Sequence, residues 1–280
     1  MWIASYPKSG NTWFRLFLSS LLNPEKESID INNIDAVSLL ASSRVLFDSI
    51  SGINSSDLRV DEINAIRPEV YRIISSENNN TIYIKVHDAW QRNDSGDELF
   101  PSNITKGVVL LVRNPFDLTV SLSNHNGISL IEAANRLNDS NFSLSINPSK
   151  LNNQLQQLIG SWSEHFRSWV DRSNLNVFVM RYEDMLLKPY QTFSRALNFL
   201  DIKVDRSIIE SSIRKCSFEI LQQKEEESGF KEKPIISKRF FKMGKCYYYK
   251  KLLNEEITRI LTINHMEILK RLEYNCNSFH

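Results

Sequence analysis

The chain has 280 residues, 41% of them apolar, which is ample for a sizeable buried core and excludes disorder. Thirty-four Lys and Arg stand against thirty-three Asp and Glu, a net charge of +1, so the broad basic footprint of a nucleic-acid or anionic-membrane binder is missing. Any anionic ligand must therefore be held by a local site.

In chain order, Trp2–Tyr6 is a short apolar run of strand formers, Pro7–Thr12 a tight turn, and Trp13–Leu22 a helix. Asn23–Asn80 reads as helical with polar breaks. Ile82–Val86, Val108–Val112 and Asn176–Met180 are further short strands, of the continuous kind that a buried parallel sheet uses. Asn124–Ser149 is rich in Asn and Ser, and helical periodicity marks Leu151–Val170, Tyr190–Leu200 and Leu253–Leu272. Strands alternating with helices predict an α/β fold with a central, mostly parallel sheet and helices on both faces. With no repeat and no Ser/Gly linker, a single domain over 1–280 is the simplest organisation. The stretches 23–80 and 124–149 are then insertions, either substrate-binding loops or solvated connections. Lys231–Lys251 holds eight basic residues and one acid, Glu232. That run suits a solvated face or, within a segment near 227–251, a lid over an anionic ligand.

Cys216, Cys246 and Cys276 are odd in number, widely spaced and without a C-x-x-C pair, which favours neither a disulfide framework nor a thiolate zinc site. No apolar run exceeds Val108–Val112 and no basic leader opens the chain. A soluble, cytoplasmic protein with no membrane partner is expected.

The turn Tyr6-Pro7-Lys8-Ser9-Gly10-Asn11-Thr12-Trp13 joins a strand to a helix. Backbone N–H groups at such a helix start, with the positive end of its dipole, make an anion site. The loop is P-loop-like but is no Walker A: its lysine precedes its glycine, and Val108–Val112 runs into Arg113, not into a magnesium-binding Asp. Both facts disfavour a kinase or ATPase.

This loop resembles the 5′-phosphosulfate loop of the cytosolic-type sulfotransferases, which use 3′-phosphoadenosine 5′-phosphosulfate (PAPS) and release 3′-phosphoadenosine 5′-phosphate (PAP). Arg113-Asn114-Pro115-Phe116-Asp117-Leu118-Thr119-Val120-Ser121 is similar to the family's 3′-phosphate motif, Ile84-Lys85-Val86-His87 to its strand-end Lys-x-His, and Arg181-Tyr182-Glu183-Asp184 to its Tyr-Glu-Asp element. Cys216-Ser217-Phe218 and Phe240-Phe241-Lys242-Met243-Gly244-Lys245 resemble its Thr-Ser-Phe and late Phe-x-Arg-x-Gly segments, so the likeness runs from residue 2 to about 253 in the family's order.

The resemblance implies a three-layer fold and in-line sulfuryl transfer from PAPS, with no metal, to a hydroxyl or amine of a small molecule, secondary metabolites included. It gives His87 the role of base, Lys8 that of meeting charge on the leaving phosphate, and Lys85 a reach to the sulfuryl oxygens. Lys8, Ser9, Gly10, Asn11 and Thr12 would hold the 5′ end, and Trp13 and Phe218 would sandwich adenine. Tyr182 and Ser217 would touch the nucleotide, while Arg113, Ser121, Lys242, Met243 and Gly244 would close on the 3′-phosphate.

Three departures stand out: Lys242 replaces the usual Arg and loses its bidentate fork, Tyr247-Tyr248-Tyr249 stands where many members have Gly-x-Trp, and Cys216 replaces a Thr. Two competing readings are a metal-dependent P-loop phosphotransferase and a nucleotide-binding relative without turnover. Neither the acceptor nor the oligomeric state is written in the sequence.

Overall fold

Four short strands form one parallel sheet in the order β2-β1-β3-β6, as seen in a computed structural model that describes residues 1–34, 37–146, 151–234, 236–242 and 244–274. Strand β1 (Trp2–Ser5) lies between β2 (Ile84–Val86) and β3 (Val108–Val112), and β6 (Val177–Arg181) pairs with the far side of β3. The chain leaves β1 toward β2 and leaves β3 toward β6. The two connections diverge, and a crevice opens between the carboxyl ends of β1 and β3, where ligands of open α/β sheets bind.

The period-2 alternation of strands divides the core into two layers. Trp2, Ala4, Val86, Val108, Leu110 and Val112 face one of them. It is completed by α3 (Val60–Ser76), α4 (Pro115–Asn126), α5 (Leu130–Asn138), α6 (Trp162–Val170) and α11 (Glu255–Arg271). Ile3, Val109, Leu111 and Met180 face the other, built on α1 (Asn11–Leu22), α7 (Tyr182–Leu187), α8 (Pro189–Phe199), α9 (Arg206–Lys215) and α10 (Phe218–Ser228). The short α2 (Arg44–Ser51) packs on α3, and Ser143–Leu144 (β4) pairs antiparallel with Gln157–Leu158 (β5).

One expected helix is half as long as its periodicity predicts. Of Leu151–Val170 only Trp162–Val170 is helical. Gly160 sits at φ +70, and Ser161 caps the helix by accepting from the Glu164 amide. Upstream, Leu155 and Ile159 are buried but extended, their amides donating to the carbonyls of Ser42 and Phe142. Two apolar residues four apart fit a helix or a docked extended segment equally well, and tertiary pairing decided for the second. Among the described residues no helix is long and apolar enough to cross a membrane.

Candidate active site

The phosphate loop begins where β1 ends. The Ser9 amide closes the turn on the Tyr6 carbonyl, and Lys8 and Gly10 take positive φ of 72 and 101. Glycine is required at position 10, since a Cβ there would lie 2.8 Å from the Tyr182 ring. Helix α1 then starts with no side-chain cap and no acid in its first turn, leaving its amides free for an anion. Asn11 is spent on the scaffold, its Nδ2 donating to the Ile3 carbonyl and Ser5 Oγ. Trp13 donates from Nε1 to the Cys216 carbonyl at 2.8 Å, so the backbone at Cys216, which its side-chain change leaves intact, orients the indole.

On the other side of the crevice, Asn114 caps α4 and Pro115 opens it. The buried Glu183 carboxylate accepts from the Asn114 amide at 3.0 Å and from Tyr274 Oη at 2.8 Å, which fixes the helix start and with it Arg113. Arg113 stacks over Tyr182 and donates from one terminal nitrogen to the Lys8 carbonyl. Its Nε is buried without a partner among the described residues.

His87 follows β2 at the same sheet edge. Its Nδ1 lies 2.8 Å from the Ser5 carbonyl, which can only accept, so Nδ1 carries the proton and Nε2 the lone pair. Burial, then the Lys85 charge, push its pKa down to about 3, and the ring is neutral. His165 Nε2 donates to the His87 carbonyl, Trp169 Nε1 to the Asp88 carbonyl, and the buried Asp88 carboxylate is clamped by Arg67 at 2.8 and 3.1 Å. These contacts hold the strand end in place.

A cavity of about 530 Å³ unites these parts. Lys8, Gly10, Asn11, Thr12, Trp13, Lys85, His87, Arg113, Ser121, Tyr182, Phe218, Lys242 and Gly244 all line it. Ser9 lies fully buried behind the wall, and Ser217 is spent capping α10, accepting from the Ile220 amide. Met243 is outside the described residues. The Lys8 ammonium sits 3.7 Å above the Phe240 ring. Burial, then the Arg113 and Lys85 charges, lower its pKa to about 7.

Residues of the basic segment, Lys231, Arg239, Phe240 and Lys245 among them, line the cavity, and carboxylates absent from the sequence expectation hold the segment. Glu225 accepts from the amides of Phe240 and Phe241, and Asp117 from those of Tyr247 and Tyr249. Tyr247 adopts φ +62, a conformation natural to the glycine of the family pattern, while Tyr249 is buried and stacks on Phe116. Gly244 lies so close to Phe218 that a Cβ would fall 2.3 Å from its ring. His125, also on the cavity wall, and Arg15, in α1, escaped sequence reasoning. Arg15 had a signal: it interrupts an apolar helical run, and a charge on a buried face needs a partner.

The residues fit an adenosine bisphosphate sulfate. Arg113, the uncapped start of α1, and the aromatic residues Trp13 and Phe218 bring a cation, amide donors and ring surface to the lining of one cavity.

The family model described as "Sulfotransferase domain" matches residues 1–263. Among curated proteins, the luciferin sulfotransferase of Photinus pyralis is 26% identical over 269 residues, covering 91% of this chain and 67% of the relative. Sulfotransferase 4A1 of Mus musculus is 27% identical over 220 residues, covering 77% and 64%. The chain thus spans about two thirds of the length of these relatives. Among solved structures, retinol dehydratase in complex with androsterone and inactive cofactor PAP superposes with a TM-score of 0.60 at 18% identity, covering 96% of this chain and 80% of that one. Mouse sulfotransferase SULT7A1 complexed with PAP does so with 0.55 at 18%, covering 100% and 85%. Both share the fold.

Proposed function

The chain belongs to the sulfotransferase family, whose enzymes are PAPS-dependent transferases, and on that premise we propose that it moves the sulfuryl group of PAPS to a hydroxyl or amine of a small molecule. The observation that carries this reading is the convergence of a neutral His87 with its lone pair on Nε2, the Lys8 ammonium and the half-spent Arg113 guanidinium on one cavity.

PAPS supplies an activated sulfuryl group whose bridging S–O bond breaks as a new bond to the acceptor forms. His87 Nε2 takes the acceptor proton. Lys8 meets the negative charge left on the bridging oxygen, and the α1 amides orient the 5′ end. Arg113 and Ser121 select the 3′-phosphate, with Lys242 closing from the lid. Lys242 itself bonds Asn124 Oδ1, so its charge is steered from α4 in place of an arginine fork.

The acceptor end supports an apolar-bodied small molecule. Leu40, Phe142 and Leu144 line it, and all three come from the two insertions, which favours their substrate-binding alternative. The curated relative named for luciferin and the solved neighbour holding androsterone accord with that class.

The test is an acceptor screen with radiolabelled PAPS, paired with calorimetry of PAP against AMP. Labelled product is expected, and PAP should bind more tightly than AMP by about 1.5 to 3 kcal/mol, the worth of a charge-assisted contact. Equal affinities would remove the 3′-phosphate assignment. Transfer should survive a chelator; restoration only by magnesium would instead identify a phosphotransferase.

A further inference from the structure

Glu232 is the one acid in the basic run Lys231–Lys251, and its carboxylate turns inward. Oε1 receives Arg15 at 2.9 Å, while Oε2 receives Lys85 Nζ at 3.2 Å and Thr12 Oγ1 at 3.3 Å. The Arg15 side chain is only 2% exposed and also donates to the Val37 carbonyl. It is a cation fixed inside the apolar face of α1, and leaving it without an anion would be strongly unfavourable. One carboxylate oxygen is thus anchored on an immobile group, and the other is presented to two residues of the cavity wall.

We propose that Glu232 is a positioning residue for sulfuryl transfer: clamped by Arg15, it orients the Lys85 ammonium and keeps it protonated, so that Lys85 is competent only while the lid is seated. This rests on the sulfuryl transfer proposed above together with the reach of Lys85 to the sulfuryl oxygens expected from the sequence. The charged and titratable groups facing Lys85 are Lys8 from the phosphate loop, Arg15 from α1, His87 beyond β2, His125 from α4 and Glu232 from the lid. Lys8 and Arg15 are cations and the two histidines are held neutral by burial. Glu232 is the acid acting on Lys85 itself, while Lys8 also feels Glu225. Burial lowers the Lys85 pKa and Glu232 opposes that fall.

The experiment is competitive acetylation of the full chain across a pH series, reading the Lys85 peptide by mass spectrometry in wild type, Glu232→Gln and Glu232→Asp. Loss of an anion at this distance should lower the Lys85 midpoint by about 1 to 3 pH units in Glu232→Gln, and Glu232→Asp should recover part of it. Single-turnover transfer should slow in Glu232→Gln and partly recover in Glu232→Asp. An unchanged Lys85 midpoint in Glu232→Gln overturns the assignment even if thermal unfolding shows that variant to be less stable, because a mere structural clamp would lower stability without moving Lys85. Should Glu232→Gln not fold, Glu232→Asp decides: its shorter reach should lower the Lys85 midpoint by a smaller amount than the loss of the anion would, and an unchanged midpoint overturns the assignment. If wild type transfers nothing from PAPS while the midpoint still falls, the sulfuryl-transfer reading is overturned and the hold of Glu232 on Lys85 stands.

Discussion

His87 and Lys8 are both half-buried bases, and desolvation has opposite consequences for the two roles proposed for them. Desolvation disfavours a charged imidazole, and with Nδ1–H tied to Ser5 the ring offers a lone pair at any pH above about 3. The same desolvation brings Lys8 to about 7, so below that pH it is a cation with little hydration to lose. The signs give distinct pH behaviour. The kcat/KM of wild type should fall as pH rises through about 7, as the free enzyme loses the Lys8 ammonium, and should show no acid limb near 6.5 from His87. In the donor complex the anionic nucleotide raises the lysine, so the same limb in kcat should lie at higher pH. His87→Ala should lower single-turnover rates by roughly 10² to 10⁴ and be partly rescued by acidic acceptors. Lys8→Ala should cost on the order of 10² or more without such rescue. A wild-type rate for His87→Ala on a weakly acidic acceptor would leave the base unidentified.

Among the elements, the basic segment 231–251 and α4 are tied together. Asp117, in the first turn of α4, accepts from two amides of that segment, and Phe116 beside it carries Tyr249. Gly244 rests on Phe218 at φ +54. Gly244→Ala must either move that ring or lift the segment, and an L-residue held left-handed costs a further 1 kcal/mol or so. PAP affinity by calorimetry should therefore drop at least about fivefold, while the unfolding temperature, set by the two core layers, changes little; an unaltered affinity would detach this segment from the nucleotide.

The strands, the phosphate loop and the start of α4 were legible in the sequence because each is specified locally, by a run of apolar residues or by a glycine or proline at a required φ. The path of the basic segment was not. It depends on Glu225, Asp117 and Glu232, acids whose partners lie up to 220 residues away in sequence, and no local pattern distinguishes an acid that clamps from one that is merely solvated.

At the scale of the whole molecule, the device that fixes the His87 strand end also sets a limit on acid stability. His165 and His265 are each 2% exposed, and burial lowers both to about 4. His165 donates from Nε2 to the His87 carbonyl, and His265 Nδ1 meets Ser163 Oγ at 2.8 Å. With folded values below the unfolded 6.5, the unfolded chain binds more protons, so their contribution to stability is intact above about pH 6.5 and is lost as pH falls toward 4. At pH 5 the loss is roughly 2 kcal/mol for each, a large part of the 5–15 kcal/mol typical of a domain. The carboxylates act differently: Glu232, held at about 2, weakens folding only below the ordinary glutamate range, and Asp117 and Glu183, raised by burial, have the opposite sign and soften the decline. Urea unfolding at pH 7.5 and at pH 5 should show a drop of several kcal/mol in wild type, because His87 and His125, lowered to about 3 and about 4, add to His165 and His265. In His165→Gln/His265→Gln that drop should shrink by about half or more, because neither amide titrates. An identical drop in the double variant would place the acid sensitivity elsewhere. A shrunken drop would show that the buried pair, His165 at the His87 strand end and His265 beside Ser163, governs the pH range in which the fold persists.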